Sequence, residues 1–426
     1  MMQTQLAKTL TEVSCADDYD PNSMPVDKAR ELIRQFLTPI VGTLRVPTRS
    51  ALGRVLAEDI VSPVNVPAHR NSAMDGWALR AADLAAEGDT TLKEVGKSFA
   101  GVPFGKMLNA GECVRIFTGG VIPDGADTIV MQERAEANGA NICIASGQKK
   151  GQHVRQAGED LTQGAIALAK GHPVRPAELG LIASLGIGEV SVYRPLRVAF
   201  FSTGDELRSI GSTLGEGQIY DSNRYTIYGM LQRLGCEPLD MGVVPDVPEQ
   251  IERAFIEASQ IADVIITSGG VSVGEADFVK QILSKLGEVL FWKIAMKPGR
   301  PLAYGKIGGA HFFGLPGNPV SVMVTFYQFV RDALLTLMGR SDLEPFPLLK
   351  AVCTSSIKKA PGRTEFQRGV LSQDAQGLWT VRVTGDQGSG ILKSMSEANC
   401  FIVLSQPQGN IEPGAIVEVQ VLEGVT

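Results

Sequence analysis

VAFFSTGDEL (198–207), DVIITSGGVSVGEADF (263–278) and HFFGLPGNPVS (311–321) share one form, a short apolar run followed by a turn rich in Gly, Pro and small polar residues. Runs this continuously apolar belong to strands covered on both faces. LDMGVV (239–244) reads as a fourth strand. Helical-period stretches lie between or after the strands: NRYTIYGMLQRLG (223–235), PEQIERAFIEAS (248–259), EADFVKQILSKLG (275–287) and PVSVMVTFYQFVRDAL (319–334). In the first of them Ile227, Met230, Leu231 and Leu234 mark one face. The alternation predicts a doubly wound, mostly parallel α/β domain over 191–340. Ligands of such sheets sit at the carboxyl ends of the strands, where the three Gly-rich turns fall.

Working outward, PVDKARELIRQFL (25–37) and PAELGLIASLG (176–186) predict helices, each with proline in its first turn. We expect them to pack side by side in a discontinuous linker domain, 25–59 with 161–190. Between them CVRIF (113–117) and DTIVMQ (127–132) alternate with turn signals such as PDG and ANGAN, so 60–160 reads as an inserted small β-domain. Five short strand patterns after residue 341 predict a C-terminal small β-barrel or sandwich over 341–426. The fold class is therefore multidomain α/β plus β.

Composition limits the function. The 426 residues suit about three domains, and the −6 formal charge argues against a dedicated nucleic-acid binder. Apolar runs are only a few residues long and the N-terminus has no apolar core, so no membrane span or secretory signal is expected. Six scattered cysteines without a CxxC suit reduced thiols in the cytoplasm. With four histidines and no HExxH, any metal would be held by carboxylate oxygens, which favours magnesium over zinc.

The three turns carry the chemistry. Backbone N–H groups of Gly-rich turns near helix N-termini form anion sites. That makes Ser202, Gly204, Ser268, Gly269, Gly270, Ser272, Gly274, Pro316, Gly317, Asn318 and Pro319 substrate-binding candidates. Asp205, Glu206, Glu275 and Asp277 stand in the same turns, with Asp160 upstream and Asp246 after the second strand. Carboxylates beside a phosphate imply a bridging cation; helix capping is the plainer alternative. Lys293, Lys297 and Arg300 form a basic cluster fixed by Pro298-Gly299. Gly270–Gly274 also matches G-x-S-x-G, with Asp277 and His311 following in hydrolase order, but no HGGG-type oxyanion loop is present.

Together NSAMDG (71–76), TG (118–119) with PDGAD (123–127), GED (158–160), STGDEL, SGGVSVGEADF, K-x-x-x-KPG (293–299), LPGNPVS, PGRTEFQRG (361–369) and QGS (387–389) resemble, in order, the MoeA-type molybdopterin molybdotransferases, a family shared with the E domain of gephyrin. The resemblance covers the chain from about residue 25 onward. It implies insertion of molybdate into the dithiolene of adenylylated molybdopterin, with magnesium-dependent release of AMP. It further implies a homodimer with composite active sites and a transient contact with the molybdopterin adenylyltransferase. By motif position it puts Asp160, Glu206, Asp246 and Asp277 at metal positions, with Glu206 and Asp277 catalytic. Lys293 and Lys297 fall on the phosphate and molybdate side. Asp75 and Thr118 would face the cleft from the partner subunit, and Arg363 and Ser389 from the C-terminal domain. A scaffold without turnover is the alternative within this family. The chain departs from the pattern at Val247, where a second acidic or amide residue is common, and at Trp77, where Tyr or Phe is common.

Overall fold

The computed structural model describes residues 23–40, 42–270, 277–344 and 346–422, with the backbone alone at 277–280 and 291. Helix α1 (Val26–Gln35) places Asp27 in its first turn and Arg34 in its last, and buries Val26, Ala29, Leu32 and Ile33. Strand β1 (Thr43–Pro47) follows. The chain then enters a six-stranded sheet made of β2 (Gly76–Leu79), β3 (Thr90–Ser98), β4 (Glu112–Ile116), β5 (Thr128–Met131), β6 (Ala135–Asn138) and β7 (Asn141–Ile144). Their order is β5-β2-β4-β3-β7-β6. Each face carries its own core, one around Trp77, Leu79 and Val130, the other around Ala78, Val114 and Ile129. The chain leaves and returns through two short antiparallel ladders, Ile60–Val61 with Ile166–Leu168 and Asn71–Ser72 with Val154–Arg155. Helix α2 (Pro176–Ser184) and strand β8 (Glu189–Tyr193) complete the segment before the insertion, β8 pairing with β1.

The next stretch runs β9 (Arg197–Thr203), α3 (Ser222–Arg233), β10 (Glu237–Val244), α4 (Pro248–Ile261), β11 (Val264–Ser268) and α5 (Asp277–Leu286). It continues through β12 (Gly287–Lys293), β13 (Met296–Lys297), β14 (Pro301–Ile307), β15 (Ala310–Leu315) and helix α6 (Pro319–Leu337). The sheet order is β10-β9-β11-β15-β14-β12. Its first four strands are parallel, and β14 runs against both neighbours. Alternate side chains sort to opposite faces. Val198 and Phe200 join α1, α3 and α6 in the larger core, while Ala199 and Phe201 join α4 and α5 in the other. By length and composition α6 could cross a membrane, but it lies in the main core and is mostly buried by the protein itself.

The chain ends in β16 (Leu348–Cys353), β17 (Thr364–Gln373), β18 (Trp379–Val383), α7 (Leu392–Glu397), β19 (Cys400–Leu404) and β20 (Ile416–Val421). The order β17-β18-β16-β20-β19, with β19 pairing back to β17, closes a five-stranded barrel. β13 of the α/β domain adds to β17 as an outside sixth strand.

Two expectations are corrected. Helix α1 does not pack beside α2; its apolar face joins the α/β core, and α2 contributes Ile182 to a separate cluster with Leu56, Val190 and Val192. Between β9 and α3, Leu207–Arg208 pairs with Ile219–Tyr220, and α3 begins at Ser222, one residue before the helix read from sequence. The sheet also holds two strands beyond the four read from sequence, β12 and β14.

Candidate functional site

The carboxyl ends of β9, β11 and β15 converge on one cleft of about 640 Å³, a volume typical of small-molecule sites. Thr203, Gly204 and Glu206 line it from the first turn, Gly269 and Gly270 from the second, and Pro316, Gly317 and Asn318 from the third. Asp246 comes from the end of β10, Lys297 to Pro301 from the β13–β14 turn, and Arg363 and Gln387 to Ser389 from the barrel.

Close backbone approach sets this geometry. Gly269 has φ +90°, and a Cβ there would come within 2.6 Å of the Thr203 carbonyl oxygen, so only glycine lets the first two turns touch. Asn223, in the first turn of α3, ties the other two: its Nδ2 donates to Ser268 Oγ and to the Gly317 carbonyl, both at 2.7 Å. Asp221 caps the same helix, accepting from Arg224 N–H at 3.2 Å and from Ser202 Oγ at 3.1 Å. Ser202 and Ser268 are buried and engaged in these bonds. They therefore brace the cleft without lining it, contrary to their reading as substrate contacts. Asn223 and Asp221 shape the cleft from positions that the sequence reading passed over.

The barrel's share is held by a buried cation. Arg368 is 1% exposed; its Nε donates to Ser394 Oγ and its Nη2 to the Gly388 carbonyl at 2.9 Å. Burial pushes its guanidinium down to about 10. Gln387 Oε1 accepts the Arg368 backbone N–H at 2.8 Å. Ser389 then bonds the third turn twice, its Oγ accepting from Asn318 Nδ2 at 3.1 Å and its carbonyl from Val320 N–H at 3.1 Å.

Both signs of charge line the cleft. Glu206 and Asp246 are its acidic lining residues, and Asp205 accepts the Asp246 N–H at 3.2 Å. Partial burial, then Asp205 and Glu206, hold the Asp246 carboxyl above the usual carboxylate range. Lys297, Arg300 and Arg363 contribute cations. Among the described residues no three Asp, Glu, His or Cys side chains converge closely enough to hold an ion by themselves. Magnesium commonly takes one or two protein carboxylates and completes its shell with substrate phosphate oxygens and water. The crowded negative charge at Asp246 and the all-oxygen donors fit that mode.

Other candidates fall elsewhere. Asp160 is exposed, and its N–H donates to the Val66 carbonyl beside the insertion. Lys293 does not line the cleft; its carbonyl accepts from Met24 N–H. Pro319 starts α6 and shapes the third turn from behind. Asp75 accepts from both the N–H (2.8 Å) and Oγ1 (2.7 Å) of Thr118, bonds that hold its carboxyl below the usual range. Both residues sit in turns that flank strands of the inserted sheet, and neither lines its own chain's cleft. Ser272, Gly274 and Glu275 lie outside the described residues, as does the Asp277 side chain, although Asp277 opens α5. Of the residues in hydrolase order, only the His311 side chain is among the described ones. His311 pairs with Val264 at the amino ends of the strands, whereas the cleft begins after Ser268 and Leu315 at their carboxyl ends.

Three family models match the chain: the MoeA N-terminal region (domain I and II) over 24–186, a probable molybdopterin binding domain over 199–336, and the MoeA C-terminal region (domain IV) over 350–422. The chain is 46% identical over 398 residues to a molybdopterin molybdenumtransferase of Haemophilus influenzae, covering 93% of this chain and 98% of that one. It is 35% identical to a gephyrin of Dictyostelium discoideum, covering 93% of this chain and 62% of that protein. The crystal structure of a molybdopterin biosynthesis moeA protein from Pyrococcus horikoshii OT3 superposes with a TM-score of 0.82 at 29% identity, covering 94% of this chain and all of that one.

Proposed function

Since the chain belongs to the MoeA family of molybdopterin molybdenumtransferases, enzymes of molybdenum cofactor biosynthesis, we propose that its cleft transfers molybdate into the dithiolene of adenylylated molybdopterin and releases AMP. The observation that carries this reading is one cleft lined by both signs of charge: Lys297, Arg300 and Arg363 suit an anionic substrate, and Glu206 and Asp246 suit a cation.

The substrate is a phosphoanhydride and the second reactant an oxyanion, so fixed positive charge must bind both and meet the charge that develops on the leaving AMP. Lys297 supplies a compact ammonium, and Arg300 and Arg363 supply planar forks suited to phosphate oxygens. Backbone of the three turns supplies the remaining polar surface. Glu206 and Asp246 would hold magnesium, which when bound offsets charge on the anhydride oxygens. Asp277 belongs to the same reading through its place at the start of α5.

Asp75 and Thr118 are bonded to each other and do not line their own chain's cleft, which supports a homodimer in which the partner's inserted sheet completes each site. Supply of substrate by contact with the molybdopterin adenylyltransferase is part of the proposal. So is a cytoplasmic setting, which suits the five described cysteines, all free thiols.

The test is direct. Purified protein with magnesium, molybdate and adenylylated molybdopterin should release one AMP per cofactor formed, and should stop when magnesium is chelated. Cofactor formation without AMP, or AMP release indifferent to chelation, sinks the reading.

A further inference from the structure

We propose that Glu365 is a positioning residue for Lys297, a carboxylate lent by the barrel that fixes the cleft's ammonium where the anion binds. The proposal rests on the reading of the cleft as an anion site and adds a residue to it. β13 pairs with β17 in parallel register, and Lys297 stands opposite Glu365. Thr364 N–H donates to the Ala295 carbonyl at 2.9 Å and fixes that register. Lys297 Nζ is 3.7 Å from Glu365 Oε1, and the other carboxylate oxygen accepts from Gln367 Nε2 at 2.8 Å.

The pair is asymmetric. The Glu365 side chain is 5% exposed and that of Lys297 is 50% exposed. A buried carboxylate is costly unless charged or polar groups meet it. Burying both partners would cost the lysine its hydration as well, so a contact serving only to fasten the barrel to the α/β domain would gain little from ionic charge. Here the cation instead lines the cleft with Arg300 and Arg363, while its counter-ion sits behind it. A lysine on its flexible stem gives up rotamer freedom when an anion immobilises it. A fixed carboxylate imposes most of that ordering before the substrate arrives, and leaves ammonium donors for the anion. Glu365 also acts through space on Lys359, a buried lysine whose Nζ donates to the Gln408 carbonyl at 2.8 Å, so the test must separate the two lysines.

Glu365→Gln keeps the volume and an oxygen for Gln367, and removes only the charge. In the full-length protein it should lower the rate of AMP release about ten-fold, and Glu365→Asp should recover the rate to within about threefold of wild type. In a Lys297→Met background, adding Glu365→Gln should change the remaining rate by less than about twofold. The same ten-fold loss in both backgrounds would mean that Glu365 acts through Lys359 or through barrel stability, and the proposal falls. It falls equally if Glu365→Gln has wild-type kinetics. Calorimetric titration of molybdate alone into four of these proteins (wild type, Glu365→Gln, Lys297→Met and the double variant) separates the two readings. If wild type binds molybdate but releases no AMP, the proposed reaction fails, and the pair is still judged by whether weaker binding in Glu365→Gln disappears in the Lys297→Met background. Equal binding by all four proteins overturns it.

Discussion

Asn223 joins two turns that lie 45 and 94 residues away in sequence, using one amide group. It is 7% exposed, so losing the side chain leaves Ser268 and the Gly317 carbonyl without that donor in a dry environment. We expect Asn223→Ala to lower the unfolding free energy by about 1–3 kcal/mol, as for other buried hydrogen-bond deletions. AMP release should fall further than the lost folded fraction explains, because the second and third turns are no longer held together. Urea unfolding combined with kinetics at a temperature where the variant is folded checks this; a rate proportional to folded protein would contradict it. Residue types in the turns were legible, because glycine and carboxylate after an apolar strand can be read locally. The direction of each side chain was not. Ser202 and Ser268 sit at strand ends, and only the assembled sheet shows that they turn inward. Asn223 looked like the first residue of an ordinary helix, since its partners are remote in sequence.

At the scale of elements, β12 escaped the sequence reading because Gly287 follows α5 without an intervening loop, and β14 because Pro301 and Gly305 break the strand pattern. The two strands carry Trp292 and Tyr304, which with His311 of β15 form an aromatic row with centroids 6.1 and 6.3 Å apart. Tyr304 OH lies 3.3 Å from His311 Nδ1. Burial, then the nearby Lys306, depresses His311 to about 4, while Asp263 opposes the shift. An unfolded histidine titrates near 6.5, so between pH 6.5 and 4 the unfolded chain takes up a proton that the folded chain refuses. Stability from this residue is complete above pH 6.5 and is lost as pH falls. The wild type should lose about 2 kcal/mol more than His311→Gln between pH 7 and pH 5. Parallel curves in denaturant titrations at the two pH values would show that His311 is protonated in the folded protein. The strand patterns of the barrel, by contrast, were legible throughout, because each is bounded by its own Gly or Pro turn.

For the whole molecule, the order of domains was readable from texture, but which surfaces meet was not. The apolar stripe of α1 fits any apolar neighbour, and it is α6 that takes it: Arg30 Nε donates to the Gln328 carbonyl at 3.0 Å, in a π-helical turn (Phe326–Val330). Gln328 Nε2 donates in turn to Gln420 Oε1 of β20 at 2.9 Å, so α1, α6 and the barrel meet at one glutamine. The proposed homodimer makes a further prediction at this scale. Chains carrying Asp75→Ala and chains carrying Glu206→Gln should each be inactive, yet regain activity when co-expressed. Random pairing makes about half of the dimers mixed, each with one whole site if the site crosses the subunits. Roughly a quarter of wild-type activity per chain is then expected, and no recovery above either parent would place every site within a single chain.

The paired ladders at Ile60–Val61 with Ile166–Leu168 and Asn71–Ser72 with Val154–Arg155 bring the outgoing and returning strands side by side. The inserted sheet thus hangs from a two-stranded stalk and brings a core of its own on each face. Such an attachment is a socket. A different module could be spliced at the same two positions without rethreading anything else, since no strand of the inserted sheet is shared with its host. A lineage that exchanged this cassette would keep its cleft and its barrel, and would change only the surface that the cassette presents.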